Sequence, residues 1–325
     1  MRRVCTTAQA LSSTISYPLK HVVDSRRAIG TQGFRLPEPK LRDWGMGVTV
    51  CIAAICKWDE NTEAIVTACD QMLSLGQFSA DNITTKIDPV HPAWEAMFAG
   101  DDITRVDYVL DAVREMLYQP PIKPRSFVEV SRAFSIAHRK VRRHVVESTV
   151  LAPYSMTMKQ FLRDGMTQFG AENFTALLQA IQGTTLGCTF LVCGFGQDGE
   201  PRIFTVSESG ESQIYDRPGC WAIGSGQQSA LSSLFFHSYN HLYDYKAAIY
   251  HVCEAKFMAE TAIGVGKKTF LSMYRHHQPR LYTLESSINE IRQAWETDGK
   301  PRVPHWIKDR IPQMLIDPTK LDIKI

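Results

Sequence analysis

The segments VTVCIAAIC, residues 48–56, and EAIVTACD, residues 63–70, decide the fold. Both runs are apolar and rich in β-branched residues, and a short polar stretch separates them. This pattern predicts two antiparallel strands joined by a hairpin. Thr49 stands near the start of the first strand and Asp70 closes the second, so we expect their side chains at the same end of a sheet.

Two later runs predict a second pair of strands. They span residues 83–87 and 94–99, and the turn between them is predicted to hold Pro89 and Pro92. Lys86 lies in the first of these runs. The lysine can therefore reach the same rim of the sheets as the hydroxyl and carboxylate of the first strand pair.

The spacing of three residues at these strand ends resembles the pattern of a known family. Lys86 follows Asp70 by sixteen residues, and Gly100 follows Lys86 by fourteen. Together with the run TVCIA at residues 49–53, this arrangement resembles the proteasome β-type family of N-terminal-nucleophile hydrolases, which includes bacterial proteasome-like proteins. Taken singly, the same residues also fit a strand threonine, a turn-capping aspartate and a solvated lysine.

The predicted elements run strands, two helices, strands, two helices, an order expected of helices packed outside two sheets. The resemblance implies the same α+β architecture, a four-layer αββα sandwich, over about residues 48–284. Within it, residues 150–183 are predicted to form a helical insertion. A disordered N-terminal extension or propeptide is predicted over residues 1–47. A C-terminal helix followed by an extended arm is predicted over residues 285–325.

Periodicity predicts the remaining elements. Helices are predicted over residues 101–118, 126–148, 225–239, 243–260 and 286–297. Strands are predicted over residues 188–195, 202–207, 213–215 and 221–224, with edge strands over residues 267–274 and 279–284.

The N-terminal 45 residues are rich in Ser, Thr and Arg and poor in acidic residues. Three interpretations remain open: an upstream start or tail with Met46 as the natural start, a propeptide that is removed, and an organelle transit peptide. Pro18, Pro37 and Pro39 disfavour the transit peptide, because prolines interrupt a long amphipathic helix.

Composition excludes several functional classes. The 325 residues are 44% apolar and 22% charged, as is ordinary for a globular protein, and no apolar run approaches the roughly 18 residues that span a membrane. A net charge of +2 gives no general argument for nucleic-acid binding, and the basic face of residues 126–148 lacks flanking aromatics for base stacking. Eight cysteines without a C-x-x-C pair predict a reduced protein, which we expect in the cytoplasm.

Three weaker motifs predict no additional chemistry. The run GFGQDG, residues 194–199, fits a dinucleotide fingerprint, but a strand follows it, so it predicts a hairpin turn. His276 and His277 lack a third ligand at metal spacing. Cys51 and Cys69 lie on neighbouring strands, where buried packing is favoured over a redox pair. Neither a cofactor nor a metal is expected.

The resemblance implies a mechanism. In this family, the hydroxyl of an N-terminal threonine is the nucleophile and its free α-amine is the base, roles that fall here on Thr49. An α-amine has a pKa of about 7.7–8.0, close to working pH. Lys86 would lower the pKa of the amine and hydroxyl, and Asp70 would hold the Lys86 ammonium charged and oriented.

Further roles follow from the same resemblance. The backbone N–H of Gly100 would donate to the oxyanion, and Ser225, the second residue of a Gly-Ser pair, would relay protons near the threonine amine. The family's aspartate followed three residues later by serine appears here as Glu260 and Ile263. Glu260 keeps the charge, whereas Ile263 lacks the hydroxyl of the relay.

This mechanism requires Thr49 at a chain terminus. The preceding residue is Val48, where active β subunits usually have glycine, and a β-branched neighbour would hinder self-cleavage. A start at Met46 leaves Gly47 first after methionine removal. Self-processing of the bond between Val48 and Thr49 is therefore required for activity.

The sequence thus predicts a proteasome-like threonine hydrolase that cleaves peptide or amide bonds in a peptide or unfolded-protein substrate. The resemblance implies self-assembly into a ring or stacked oligomer, and the sequence identifies no unfoldase partner. Neither nucleic acid nor a membrane is expected as a partner. Two alternatives remain open: a non-catalytic scaffold subunit like proteasome α-type chains, and a small-molecule amidohydrolase.

Overall fold

A computed structural model describes the chain over residues 49–75, 78–80, 85–100 and 103–300, with only the backbone described at residues 73–75, 78–80 and 103. The predicted N-terminal extension, Val48 and the arm beyond Lys300 lie outside the described residues. Within them the protein is a mixed structure of helices and antiparallel sheets.

The strands, in chain order, are β1 (Cys51–Lys57), β2 (Glu63–Asp70), β3 (Leu73–Leu75), β4 (Phe78–Ala80), β5 (Ile87–His91), β6 (Trp94–Gly100), β7 (Cys188–Phe195), β8 (Pro201–Val206), β9 (Ser212–Ile214), β10 (Cys220–Ile223), β11 (Thr269–Arg275) and β12 (Leu281–Tyr282). The helices are α1 (Ile103–Leu117), α2 (Phe127–Val146), α3 (Met158–Gly183), α4 (Gln227–Phe236), α5 (Tyr245–Ala259) and α6 (Glu285–Ala294).

The strands form two five-stranded antiparallel sheets. Sheet I has the order β10-β1-β2-β11-β12, and sheet II has the order β5-β6-β7-β8-β9. The short β3-β4 hairpin follows β2 and was not predicted from the sequence. The predicted β1-β2 hairpin is confirmed, and so is the hairpin at the GFGQDG run, which joins β7 to β8.

Three strand predictions were wrong in detail. The strand predicted over residues 83–87 is β5, which begins only at Ile87. Pro89 was placed in a turn, but it lies within β5 opposite Glu95, next to a shift of register. β5 is an edge strand, where proline costs no ladder hydrogen bond. The strand over residues 267–274 was predicted as an edge, whereas β11 lies between β2 and β12.

Alternating residues of β1 face two different apolar clusters, as the period of a strand requires. Ile52 and Ala54 pack in a cluster that includes Val252 of α5. Cys51 and Ala53 pack instead in a cluster with residues of β6 and β7. Both faces of the strand are therefore buried, which explains why its apolar run is almost unbroken.

A third apolar cluster joins sheet II to α1 and α2. The Phe134 ring of α2 lies 5.5 Å from the Phe190 ring of β7 and 6.3 Å from the Phe204 ring of β8. A capping box fixes the start of α2, since Ser126 and Glu129 exchange side-chain and backbone hydrogen bonds. Local sequence and long-range packing thus specify this helix together.

His138 is a buried base on α2 without a hydrogen-bonding partner. Its side chain is 1% exposed, and neither ring nitrogen has a partner among the described residues. Burial, reinforced by the nearby Arg142, lowers the pKa of His138 to about 4. An unfolded histidine titrates near pH 6.5, so the unfolded chain binds more protons between pH 6.5 and 4, and acidification through this range destabilises the fold.

We predict that replacing His138 with leucine removes part of this pH dependence. Between pH 6.5 and 4 the native protein should lose about 3 kcal/mol of unfolding free energy through this residue, because one pKa unit corresponds to about 1.36 kcal/mol. Urea unfolding at each pH would measure the slope. The exposed His144 on the same helix gives the control, His144→Leu. An equally steep decline in His138→Leu would contradict the assignment.

Within the described ranges, every helix is too short or too polar to span a lipid bilayer.

Candidate active site

Thr49 is buried immediately before β1, and the turn from β10 to α4 holds its backbone. The Thr49 carbonyl accepts a hydrogen bond from the Gly226 N–H at 3.1 Å, and the Thr49 N–H donates to Ser225 Oγ at 3.2 Å. The Ser225 hydroxyl lies 3.3 Å from two acceptors, the carbonyls of Thr49 and Ile263. Ser225 is therefore placed beside the Thr49 nitrogen.

The close approach of this turn to Thr49 requires glycine at position 224. Gly224 has a φ of +95°, which side-chain-bearing residues rarely adopt, and a Cβ there would lie 2.3 Å from the Thr49 carbonyl oxygen. The pairing of Ile223 with Cys51 brings the end of β10 to this point. The backbone conformation thus requires glycine at position 224, and the Ser225 hydroxyl forms hydrogen bonds with the Thr49 backbone.

The side chains of Thr49, Asp70 and Lys86, which the sequence singled out, contact one another. The Lys86 ammonium nitrogen lies 2.5 Å from Thr49 Oγ1, and 3.1 and 3.0 Å from the two oxygens of Asp70. The Thr49 hydroxyl donates to Asp70 Oδ1. The hydroxyl is therefore held between an ammonium donor and a carboxylate acceptor, and all three groups are buried.

Asp70 is fully buried, and several donors stabilise its negative charge. Besides Lys86, the backbone N–H of Val50 donates to Oδ1 at 2.9 Å. The N–H groups of Met72 and Gly266 donate to Oδ2 at 3.1 and 3.4 Å. A buried carboxylate persists in its charged form only with such partners, so Asp70 can keep Lys86 oriented.

The register of the strands explains why these residues converge. Cys51 pairs with Cys69, so the Asp70 N–H reaches the Val50 carbonyl at 3.2 Å at the rim of sheet I. Lys86 enters from sheet II, directly before β5, and its carbonyl accepts from the Phe98 N–H at 3.3 Å. The cluster lies where the two sheets meet, at a single rim.

Gly100 lies at the end of β6, opposite Cys188 of β7. A Cβ at Gly100 would lie 2.5 Å from the Gly187 carbonyl oxygen. The chain before β7 approaches so closely that packing by itself requires glycine at this position, whatever its role in chemistry. Gly100 follows Phe98 by two residues, and Phe98 contacts Lys86 through its N–H and the Cys51 thiol through its carbonyl.

Glu260 lies at the C-terminal end of α5, and two residues connect it to the Thr49 cluster. Its carboxylate pairs with the Lys256 ammonium at 2.5 Å and with both Arg292 terminal nitrogens at 2.7 and 2.8 Å. Lys256 also donates to the Gly266 carbonyl at 2.6 Å. Because the Gly266 N–H contacts Asp70, this chain of contacts links Glu260 to the cluster.

Sequence analysis missed Lys256, although one signal was present. Lys256 and Glu260 stand four residues apart, the spacing of an ion pair on one helical face, and Lys256 lies among the apolar residues of α5. Its side chain is fully buried. Burial lowers the pKa of the Lys256 ammonium, and the Glu260 carboxylate opposes that shift.

We predict that Lys256→Met lowers the free energy of unfolding by about 2–3 kcal/mol. The Gly266 carbonyl would lose its donor, and Glu260 would keep only Arg292. Urea unfolding would measure the change. Lys300→Met is the control. Lys300 is about half exposed, its ion pair with Glu296 is long at 3.9 Å, and it also lies 4.5 Å from the centre of the Trp295 ring, so its loss should cost no more than about 1 kcal/mol. Equal stabilities of the two variants would contradict the assignment.

Cys51 and Cys69 face each other across β1 and β2 as free, buried thiols. Burial raises the pKa of Cys69 to about 12 and that of Cys51 well above its usual range. The thiolate is the reactive form of cysteine, so both residues act as packing groups.

Part of the chain matches a known protein family. Residues 151–255 match the family model described as Proteasome subunit. The resemblance to proteasome subunits is confirmed. No curated protein matches the chain.

The proteasome-subunit match spans α3, β7 to β10, α4 and most of α5. It includes Ser225 and most of the segment predicted as an insertion. Thr49, Asp70, Lys86 and Gly100 precede it, and Glu260 follows it. The assignment of the Thr49 cluster as an active site therefore depends on geometry and on the sequence spacing rather than on this match.

Proposed function

We propose that this proteasome-like chain is a threonine hydrolase that cleaves peptide or amide bonds, with the Thr49 hydroxyl as nucleophile. One observation carries the proposal: the Lys86 ammonium lies 2.5 Å from Thr49 Oγ1 in a buried cluster anchored by Asp70. A buried ammonium beside a hydroxyl favours the alkoxide that develops during attack.

The reaction proceeds through an acyl-enzyme. Thr49 Oγ1 attacks the carbonyl carbon of the scissile bond, and the hydroxyl proton passes to the Thr49 α-amine. The amine delivers that proton to the leaving nitrogen, and an ester remains on Thr49. Water then adds to the ester with the amine as base, which releases the acid and restores the hydroxyl.

The surrounding residues have distinct roles in this proposal. Asp70 holds Lys86 charged, and the Gly100 N–H donates to the oxyanion, a contribution worth roughly 10²–10³ in rate. Ser225 Oγ, 3.2 Å from the Thr49 nitrogen, relays protons to and from the amine. Glu260 acts from a distance, through Lys256 and Gly266.

Activity depends on cleavage of the bond between Val48 and Thr49. In the uncleaved chain the Thr49 nitrogen is a peptide N–H without a free electron pair for proton transfer. Hydrolysis of this bond converts it into an α-amine, with Ser225 already within hydrogen-bonding distance. The Thr49 hydroxyl belongs to the residue that directly follows this bond, so we assign the cleavage to the chain itself.

The proposed architecture is the four-layer αββα sandwich. Three apolar clusters support it: one between sheet I and its helices, one between the sheets, and one between sheet II and its helices. The proteasome-subunit match suggests assembly into oligomeric rings. An enclosed ring would admit peptides or unfolded chains as substrates, and the cytoplasm is the proposed compartment.

Covalent labelling tests this proposal. A peptide β-lactone acylates an activated hydroxyl, so peptide mapping by mass spectrometry should place a single adduct on Thr49 of the purified protein. Thr49→Ala should remain unlabelled. An adduct on a cysteine, or no adduct at all, would contradict the proposal. Hydrolysis confined to small amides would favour the amidohydrolase alternative over a peptidase.

A further inference from the structure

A second cluster of chemically competent side chains lies between α4 and α5. His237 caps the C-terminal end of α4, and His251 and Glu254 lie one turn apart on α5. Glu254 Oε2 is 2.9 Å from His237 Nε2 and 3.2 Å from His251 Nδ1. One ligand atom from each of the three residues thus lies within 4.8 Å of the others.

These distances fit a bound transition-metal ion. Zinc binds imidazole nitrogen and carboxylate oxygen at about 2.0–2.2 Å, so neighbouring ligand atoms in a tetrahedral site are about 3.3 Å apart. The measured separations of 2.9 and 3.2 Å already approach that value. Two imidazoles with one carboxylate form a set that Zn²⁺ accepts, whereas Mg²⁺ and Ca²⁺ prefer oxygen ligands alone.

Tyrosine side chains contact both histidines, at the backbone of His237 and at the ring of His251. The Tyr243 hydroxyl donates to the His237 carbonyl at 2.6 Å, and the Tyr243 ring packs edge-on against His251 at 5.5 Å. The Tyr250 ring packs against His251 from 5.7 Å. The His237 and His251 rings are 4.5 Å apart, so neither needs to move far to share an ion.

The site is reachable from solvent. The His237 side chain is 30% exposed, that of His251 is 17% exposed, and that of Glu254 is 7% exposed. An ion could therefore enter past His237 and keep a water molecule in its fourth position. No metal site was predicted from the sequence, because His237 and His251 stand fourteen positions apart, at the end of one helix and within the next.

We propose that His237, His251 and Glu254 bind one Zn²⁺ ion per chain. The ion would tie the end of α4 to α5. The ten residues of α4 rise about 15 Å, which separates this site from Ser225 at the other end of the helix. The ion therefore stabilises the helix pair next to the Thr49 cluster and takes no part in its chemistry.

Titration calorimetry with Zn²⁺ on the full-length, chelator-treated protein tests the proposal. We expect saturable binding of one ion per chain and a rise in the temperature of unfolding. His251→Ala and Glu254→Gln should each weaken Zn²⁺ binding by more than about 100-fold, and Mg²⁺ should not compete. Glu254 is nearly buried, so its substitution could also impair folding. His237 is the most exposed of the three ligands, and His237→Ala therefore serves as a third variant with a smaller effect on folding.

The control removes another pair of histidines. The His276 and His277 rings lie 3.7 Å apart in the turn after β11, and a double alanine variant there should bind Zn²⁺ like the native chain. Circular dichroism would establish that each variant is folded. Absence of saturable binding, or equal affinity in His237→Ala, or loss of binding in the control would overturn the proposal.

Discussion

Thr49→Ala abolishes peptide hydrolysis, with an expected loss of at least about a thousandfold in kcat. The substitution removes the only atom that our account assigns to nucleophilic attack, and it leaves the ion pair of Lys86 with Asp70 in place. Release of a fluorophore from short peptides would measure the rate. Thr49→Ser should retain part of the activity, because it keeps the hydroxyl between the same ammonium and carboxylate.

Thr67→Ala is the matched control for this variant. Thr67 is also buried in sheet I, and its hydroxyl lies 2.8 Å from that of Ser272. The same substitution there removes a buried hydrogen bond that does not involve Lys86. Activity per folded molecule should therefore remain near the native value. Full activity in Thr49→Ala would exclude Thr49 as nucleophile.

Lys86→Met has the largest expected effect on stability. It leaves the Asp70 carboxylate fully buried without its counter-ion, a change that typically costs about 3–5 kcal/mol. Asp70 keeps its backbone donors from Val50, Met72 and Gly266, so we expect a loss of unfolding free energy near the lower end of this range. Urea unfolding would measure the stability, and the peptide assay should show a loss of activity.

A double variant separates stability from chemistry. Asp70→Asn together with Lys86→Met removes both charges, so it should recover part of the lost stability while activity stays absent. Lys57→Met is the control, since the pair of Lys57 with Glu63 is partly exposed and should contribute about 0–1 kcal/mol. If Lys86→Met were as stable and active as the control, the ion pair would have no role in the site.

Much of the fold and of the candidate site could be predicted because local patterns encode them. The apolar, β-branched runs at residues 48–56 and 63–70, with a short polar stretch between them, indicate a hairpin, and a hairpin fixes which residues share a strand end. Once Val50 lies beside Asp70, Thr49 falls at the same rim. The place of Lys86 was implied by the family resemblance, through its sixteen-residue spacing from Asp70, and in the structure its ammonium reaches Thr49 from the second sheet.

The errors and omissions involve contacts that no local pattern contains. Pro89 breaks strands in general, and only its position at the edge of sheet II makes it acceptable in β5. The spacing of Lys256 and Glu260 indicates an ion pair on one helical face, but only the tertiary structure shows that the Gly266 carbonyl also accepts from Lys256. His237 and His251 come together because α4 packs on α5, which depends on the tertiary structure.

Gly100 and Glu260 show that a predicted site residue can also have a purely structural explanation. Glycine at position 100 is required by the Gly187 carbonyl at 2.5 Å from any Cβ, independently of an oxyanion. Glu260 is required by Lys256 and Arg292. Family spacing alone cannot separate such structural requirements from catalytic ones, so variants at Thr49 and Lys86 are more decisive.

The N-terminal residue of the mature protein tests the central claim most directly. Intact-mass spectrometry combined with N-terminal sequencing of the purified chain would read it. Our account predicts a mature form that begins at Thr49, and it predicts that Thr49→Ala remains uncleaved. A native protein that keeps Val48 attached while fully assembled would contradict the account and favour a non-catalytic scaffold subunit.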